Sequence, residues 1–378
     1  MTNRLRMTLI LLLAVSVSGS YLPATAEEAP GYRIETYIDC LRHPYSIAFL
    51  PDGGALITEK AGRLRLFANG RLSPEPAAVL PAVYDKNQGG LTDVVLHPRF
   101  ADNQLVYLAG STGDDNANRT TVLRGRLEGH RLTDVETVFR AQPPKDTTVH
   151  FGARLAFLKD GTLLISVGDG GQYREKAQDL SSMLGSIIRI RDDGSVPDDN
   201  PFVDRSGALP EIWSYGHRNP QGLMVDNVTG EAYATEHGPR GGDELDHIEP
   251  GNNYGWPLAT YGVDYTGARI TPFKEYPGTI QPLVQWTPSL APSGLDRCRG
   301  CLWPEWEGDF FAGMLMGRQV QRVSFKDGKS HRESLFEEPG ERIRDVTFGP
   351  DGALYLVTDN VQGRVLRVTP RSHRDTTR

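Results

Sequence analysis

Cysteine is scarce in this chain, with three in 378 residues, and so small a number excludes a disulfide-scaffolded fold. Cys298 and Cys301 form a Cys-x-x-Cys that can close into one small disulfide after export, which leaves Cys40 unpaired and expected to be buried. Leu302 stands where a c-type haem attachment needs histidine, so that motif is absent. Long apolar runs are missing as well. The one present, residues 7–17, is too short to span a bilayer, and nothing later is apolar enough to cross one. Set behind Arg4 and Arg6 and ahead of Ala24-Thr25-Ala26, it reads as a secretory signal peptide over residues 1–26. The mature protein then starts at Glu27 and is periplasmic or secreted. Positive charge is in deficit, 41 Lys and Arg against 48 Asp and Glu, and loss of the two leader arginines takes the formal charge from −7 to −9. A net-acidic exported protein is poorly matched to nucleic acid or anionic lipid.

Helical periodicity is lacking too: no amphipathic period persists over three turns, and no low-complexity linker divides the chain. By length alone the roughly 350 mature residues could form two or three domains. Yet the 41 Gly and 26 Pro are spread along the whole chain, which argues for one β-rich body over residues 27–372 with a tail at 373–378. What is present is repetition. Residues 48–58, 155–165 and 346–356 each write an apolar strand, an Asp-Gly turn and a β-branched strand, and weaker copies stand at 94–108 and 223–235. Several copies continue into a Gly-Arg and a further strand, as at 62–66 and 363–367. Units of three or four strands at a period of about 50 residues describe a β-propeller, and about 340 residues at that period suggest six or seven blades.

The clearest chemistry brackets one of these hairpins. His150 precedes the strand–turn–strand unit and Asp169 follows it, so antiparallel pairing puts both at the same end of the pair. Further on, residues 215–222 crowd His217, Arg218, Asn219 and Gln221 into one loop, and Arg218 and Asn219 suit a carboxylate and a carbonyl. The glycine-rich segment 237–245, with Asp243 and Glu244, offers the hard oxygen ligands that calcium takes. Arg342 and Arg344 stand two apart, so an extended segment turns both to one face, toward an anionic ligand.

Taken together these residues resemble the glucose/sorbosone dehydrogenase family of soluble, pyrroloquinoline quinone-dependent sugar dehydrogenases, over essentially the whole mature chain. The matching motifs run in order from His43-Pro-Tyr-Ser-Ile-Ala-Phe-Leu-Pro-Asp-Gly53 through Gln88-Gly-Gly-Leu91, residues 150–154, Gly168-Asp169 and 216–222. They continue through Gly238-Pro239, Asp243-Glu244, Asn253-Tyr-Gly-Trp-Pro257 and Arg342-Ile-Arg-Asp-Val346. The resemblance implies an all-β, six-bladed propeller of four-stranded antiparallel blades that oxidises aldoses at C1 to lactones, with pyrroloquinoline quinone (PQQ) and Ca2+ as cofactors. It implies His150 as general base, Asp169 as its orienting carboxylate, Gln88 near the sugar, and Arg218 beside the cofactor's carbonyl oxygen. Asn219, Ser289, Arg318, Arg342 and Arg344 would complete the cofactor site. One calcium would sit on the carbonyls of Gly238 and Pro239, and a second on Glu244, the Tyr254 carbonyl and Asp264. The electron acceptor stays unidentified, and the protein would be a monomer or homodimer.

One position departs from the pattern. Where the glucose dehydrogenase branch carries a cofactor-binding lysine, this chain reads Met316-Gly-Arg318, so the lysine's role is lost or passes to Arg318. The long insertions of that branch are missing as well, which favours the aldose sugar dehydrogenase branch and an open substrate rim. Two rival classes use part of the same pattern. A calcium-dependent propeller lactonase would want the acids and the histidine but not Arg218, Arg342 and Arg344, and a non-catalytic sugar-binding propeller would need neither His150 nor the calcium loop.

Overall fold

The repeated units become the blades of a six-bladed propeller in the computed structural model, which describes residues 31–371. The expected leader and the tail at 373–378 lie outside the described residues. Blade one is built from Pro44–Phe49, Ala55–Glu59, Arg63–Ala68 and Arg71–Leu72, with Ala78–Val79 added beside its third strand. Blade two holds Leu91–Leu96, Leu105–Gly113, Asn118–Glu128 and Arg131–Arg140, and blade three Leu155–Phe157, Leu163–Val167, Ser186–Ile190 and Ile212–Tyr215. Blade four follows with Pro220–Val225, Ala232–Glu236, Asp243–Ile248 and Val284–Trp286, then blade five with Pro292–Arg297, Phe310–Met314, Gln319–Lys326 and Lys329–Leu335. Blade six takes Ile343–Phe348, Leu354–Thr358 and Gly363–Pro370 from the end of the chain and its outer strand, Tyr32–Leu41, from the beginning. All ladders between these strands are antiparallel, and joining the first and last described strands in one sheet closes the ring.

Local chemistry explains why the repeats fold alike. In the three strong copies the turn aspartate accepts a backbone N–H two residues on: Asp52 from Gly54 (2.9 Å), Asp160 from Thr162 (2.9 Å) and Asp351 from Ala353 (3.2 Å). Such a bond satisfies the turn without help from the rest of the fold. The strands then alternate or run apolar according to whether one or both faces are covered, and the second strands Ala55–Glu59, Leu163–Val167 and Leu354–Thr358 are buried throughout. The first strand of each blade packs on the first strand of the next, and the ring closes from Ile343–Phe348 back to Pro44–Phe49. Residues that open these innermost strands therefore gather at one mouth of the propeller.

Cys298 and Cys301 form the disulfide that their spacing allows. Cys40 is exposed, not buried as expected. It sits on the outermost strand of blade six, between the register breaks at Ile38 and Leu41, where no further sheet covers it.

Candidate active site

His150 and Asp169 meet as the hairpin geometry requires: His150 Nδ1 lies 2.6 Å from Asp169 Oδ1, and both side chains are buried. The backbones that carry them are pressed together, because a Cβ on Gly168 would stand 2.4 Å from the His150 carbonyl oxygen. Only glycine allows that approach. Gln88 Oε1 accepts the His150 backbone N–H at 2.8 Å, so a loop of blade two fixes the histidine from the other side. With Nδ1 committed to the carboxylate, Nε2 has no hydrogen-bond partner among the described residues and is the nitrogen free to take a proton. Burial pushes the imidazole's pKa down and outweighs the upward pull of Asp169, while Arg218 and Lys145 add to the depression. Burial works to raise the Asp169 carboxyl, but the hydrogen bond and charge of His150, with Arg218, hold it below the usual carboxylate range.

Asp169 has two further anchors. Gly171 N–H donates to Oδ1 at 2.7 Å, and the Trp256 indole N–H donates to Oδ2 at 2.8 Å. Trp256 lies in the Asn253–Pro257 motif but is not among the expected site residues. It also receives the Arg218 guanidinium at 5.3 Å from its ring centroid. Arg218 in turn donates to the carbonyls of His237 (2.9 Å) and Gly238 (2.7 Å). Asn219 Oδ1 accepts Gly152 N–H at 3.2 Å, tying the same loop to the His150 segment. Lys145, also unexpected, is buried with its ammonium 3.4 Å over the Phe151 ring and donates to Asn118 Oδ1 and the Thr147 carbonyl. Burial draws its pKa down to about 7 against the attraction of Asp169 and Asp146.

Beside this group opens a cavity of about 350 Å³ whose lining includes Tyr45, Gln88, Gln221, His237, Arg342 and Arg344. Gln88 and His237 join it to the dyad and to Arg218. Arg342 and Arg344 do face the same way: both reach Asp359 Oδ2, at 2.8 and 3.0 Å. Arg344 also stacks on Tyr45 with its guanidinium 4.5 Å from the ring centroid, yet its Nε is buried without a partner among the described residues. His237 donates Nε2–H to the Pro292 carbonyl at 2.7 Å, and burial with Arg218 and Arg344 lowers its pKa to about 3, so it stays neutral. Arg318 is exposed, donates to the Gly340 carbonyl at 3.3 Å and does not line the cavity. Ser289 donates to Asp243 Oδ2 at 2.7 Å. Asp243 also accepts the backbone N–H groups of Gly238, Leu290 and Ala291, so its carboxylate clamps two loops.

The carboxylates that gather with Glu244 are Glu236 and Asp246, each offering an oxygen within 4.8 Å of the others. Glu236 pairs with Glu244 across the strands of blade four, and Glu244 and Asp246 share a face two residues apart. Burial first, then mutual repulsion, raises the pKa of Glu244 and Asp246 well above the carboxylate range. Among the described residues Asp246 Oδ2 is buried without a hydrogen-bond partner, and so is His217 Nδ1, which lies 3.4 Å from Glu236 Oε2. Asp264 spends its Oδ1 on its own turn, accepting from Thr266 N–H (2.9 Å) and Oγ1–H (2.8 Å), with Arg174 4.0 Å from Oδ2. Tyr254 is buried and stacks on His217.

The fold is a six-bladed propeller, and a buried histidine–aspartate pair lies beside an arginine-lined cavity. The lineage is equally definite: the sequence model of the glucose/sorbosone dehydrogenase family matches residues 41–367, and the chain belongs to that family. By family it is therefore a dehydrogenase, which answers the lactonase and the non-catalytic readings. It is 43% identical over 346 residues to the aldose sugar dehydrogenase YliI of Escherichia coli, covering 90% of this chain and 93% of that one. A crystal structure of soluble aldose sugar dehydrogenase from E. coli in the apo form superposes with a TM-score of 0.86 at 42% identity, covering 90% of this chain and 100% of that one. The PQQ-bound form of aldose sugar dehydrogenase from Streptomyces coelicolor superposes with a TM-score of 0.72 at 28% identity, covering 90% and 99%. Among the described residues no helix is long and apolar enough to cross a membrane.

Proposed function

We propose that the protein oxidises aldose sugars at C1 to lactones, using pyrroloquinoline quinone and calcium. The observation that carries this reading is the buried His150–Asp169 pair joined through Gln88 to a cavity lined by arginines. The cavity fits the quinone, an anionic tricarboxylate: among the described residues Arg342 and Arg344 share a single carboxylate, Asp359, and the buried Arg344 Nε has no partner. Asn219 and Arg218 stand at its border with the dyad. The quinone, when bound, supplies the acceptor for the hydride from C1. Calcium beside it would lie on the Gly238 and Pro239 carbonyls; Gly238 oxygen already accepts from Arg218, and a carbonyl's second lone pair remains for a cation. For a structural calcium, the Glu236, Glu244 and Asp246 oxygens are the better donor set in this structure, with the Tyr254 carbonyl and Asp264 as the family-derived alternatives.

The chain's own residues do the proton work. His150 Nε2 takes the proton of the anomeric hydroxyl as hydride leaves C1, so the sugar loses two electrons and one proton goes to the imidazole. Asp169 fixes the tautomer and stabilises the imidazolium that forms. Arg218, held over Trp256, places positive charge at the rim where negative charge develops. The leader-like start and the disulfide support export as the setting. The test is reduction of a dye by purified apoprotein with an aldose. Turnover is expected only when both PQQ and calcium are added, and undiminished turnover in exhaustively chelated, quinone-free protein would overturn the reading.

A further inference from the structure

Lys60 follows Glu59 at the end of the second strand of blade one and lines the same cavity as Arg342 and Arg344. Its backbone is pinned on both sides, Lys60 N–H donating to the His43 carbonyl at 3.0 Å and Leu91 N–H to the Lys60 carbonyl at 2.9 Å. Its stem lies against Gly90: a Cβ there would stand 2.4 Å from Lys60 Cγ and 2.8 Å from its carbonyl oxygen. The second glycine of Gln88-Gly-Gly-Leu91 is thus the wall that lets this lysine pass. The ammonium donates to the Asn87 carbonyl at 2.6 Å and forms no ion pair among the described residues, which leaves two of its three N–H donors unused. Three cations therefore line a cavity to which one carboxylate, Asp359, contributes. Burial lowers the Lys60 pKa and Arg344 adds to this, with Asp85 and Asp359 pulling the other way. A half-buried ammonium beside two guanidiniums is unfavourable unless an anion of more than one charge joins them.

We infer that Lys60 is the third cation of the anion cradle and binds a carboxylate of the quinone, the role that Arg318 does not fill. This rests on the cavity being the quinone site. The structural support is one of position: Lys60 reaches the cavity from blade one, opposite in sequence to the arginines of blade six, while Arg318 is exposed and turned to Gly340.

The test is titration of calcium-loaded apoprotein with PQQ, followed by the quenching of tryptophan emission at low and high salt. Lys60→Met should weaken binding by about tenfold or more and flatten its salt dependence, with Lys60→Arg restoring most of the affinity. Should Lys60→Met melt far below wild type, Lys60→Gln, which keeps a donor for the Asn87 carbonyl, carries the measurement. Wild-type affinity in both Lys60→Met and Lys60→Gln, with Arg342→Ala weakened, overturns the role of Lys60 and leaves the cavity reading standing. A loss in Arg318→Ala with none in Lys60→Met returns the role to Arg318. Unchanged binding in both Lys60→Met and Arg342→Ala, or no uptake by wild type, removes the quinone from this cavity and the inference with it.

Discussion

The imidazole of His150 has one nitrogen committed to a carboxylate and one free, which is the arrangement a general base needs. Replacing it with alanine should lower kcat by about 10²–10⁴ while leaving the quinone dissociation constant near wild type, since the histidine is not part of the cation cradle. A base works in its neutral form, so kcat/KM should climb with pH through the histidine's pKa in the free enzyme. Burial and Arg218 lower that pKa, so the acid limb should inflect below the ordinary histidine value of about 6.5. An inflection above neutrality would place the base elsewhere. Trp256 acts one step removed, through Asp169. Trp256→Phe removes a donor from a buried carboxylate, a loss on the order of 1–3 kcal/mol, and should lower kcat by about tenfold with little change in KM. Loss of thermal stability with unaltered kcat would make the tryptophan merely structural.

At the scale of the elements, the loops that open the innermost strands carry the site, and Asp243 shows how they are held. It is the first residue of its strand, yet its carboxylate accepts Gly238 N–H from one loop and Ser289 Oγ–H, Leu290 N–H and Ala291 N–H from another. Asp243→Ala leaves these donors unmatched. We expect a loss of about 2–4 kcal/mol in urea unfolding, together with weaker calcium binding at Gly238 and Pro239, whereas Ser289→Ala should do far less. A stability change within about 0.5 kcal/mol would show that the loops hold themselves. The same contrast explains what could be read from the chain. The Asp-Gly turns and the His150–Asp169 pair were legible because their determinants lie within a hairpin, where sequence distance and spatial distance agree. Arg342 and Arg344 were legible as a pair through strand alternation alone. Trp256 lies 87 residues from the carboxylate it holds, and Lys60 lines the same cavity as Arg344 only because the ring closes, so neither has a local pattern to betray it. The partners of Glu244 were missed for another reason: Glu236 is its cross-strand neighbour, and the register that pairs them is not written in either segment.

Ring closure is a property of the whole molecule, and Arg154 is where the blades are tied at the axis. From the start of blade three its guanidinium donates to the Gln221 carbonyl of blade four (2.7 Å) and the Arg344 carbonyl of blade six (3.0 Å). It also pairs with Asp345 (3.1 Å) and Asp93 of blade two (3.4 Å) and lies 5.1 Å from the Tyr45 ring of blade one. Burial raises the pKa of Asp345 to about 6 although Arg154 opposes it, with the charge of Asp93 adding to the rise. Removing Arg154 leaves two buried carboxylates facing each other, and breaking a buried pair in this way costs about 3–5 kcal/mol. The pH dependence follows from linkage. A carboxyl whose folded pKa lies above its unfolded value binds protons more readily when native, so stability falls as pH rises between the two values. Without the guanidinium the folded pKa of Asp345 rises further, and the window widens upward. Arg154→Met should therefore be severely destabilised at pH 7 and recover part of the loss at pH 5, a larger gain than the wild-type Asp345 carboxyl contributes over the same interval. Urea unfolding of both proteins at the two pH values measures this directly. A mutant penalty equal at pH 5 and pH 7 would mean that Arg154 holds the ring by packing and hydrogen bonds to carbonyls, not by neutralising the acids at the axis.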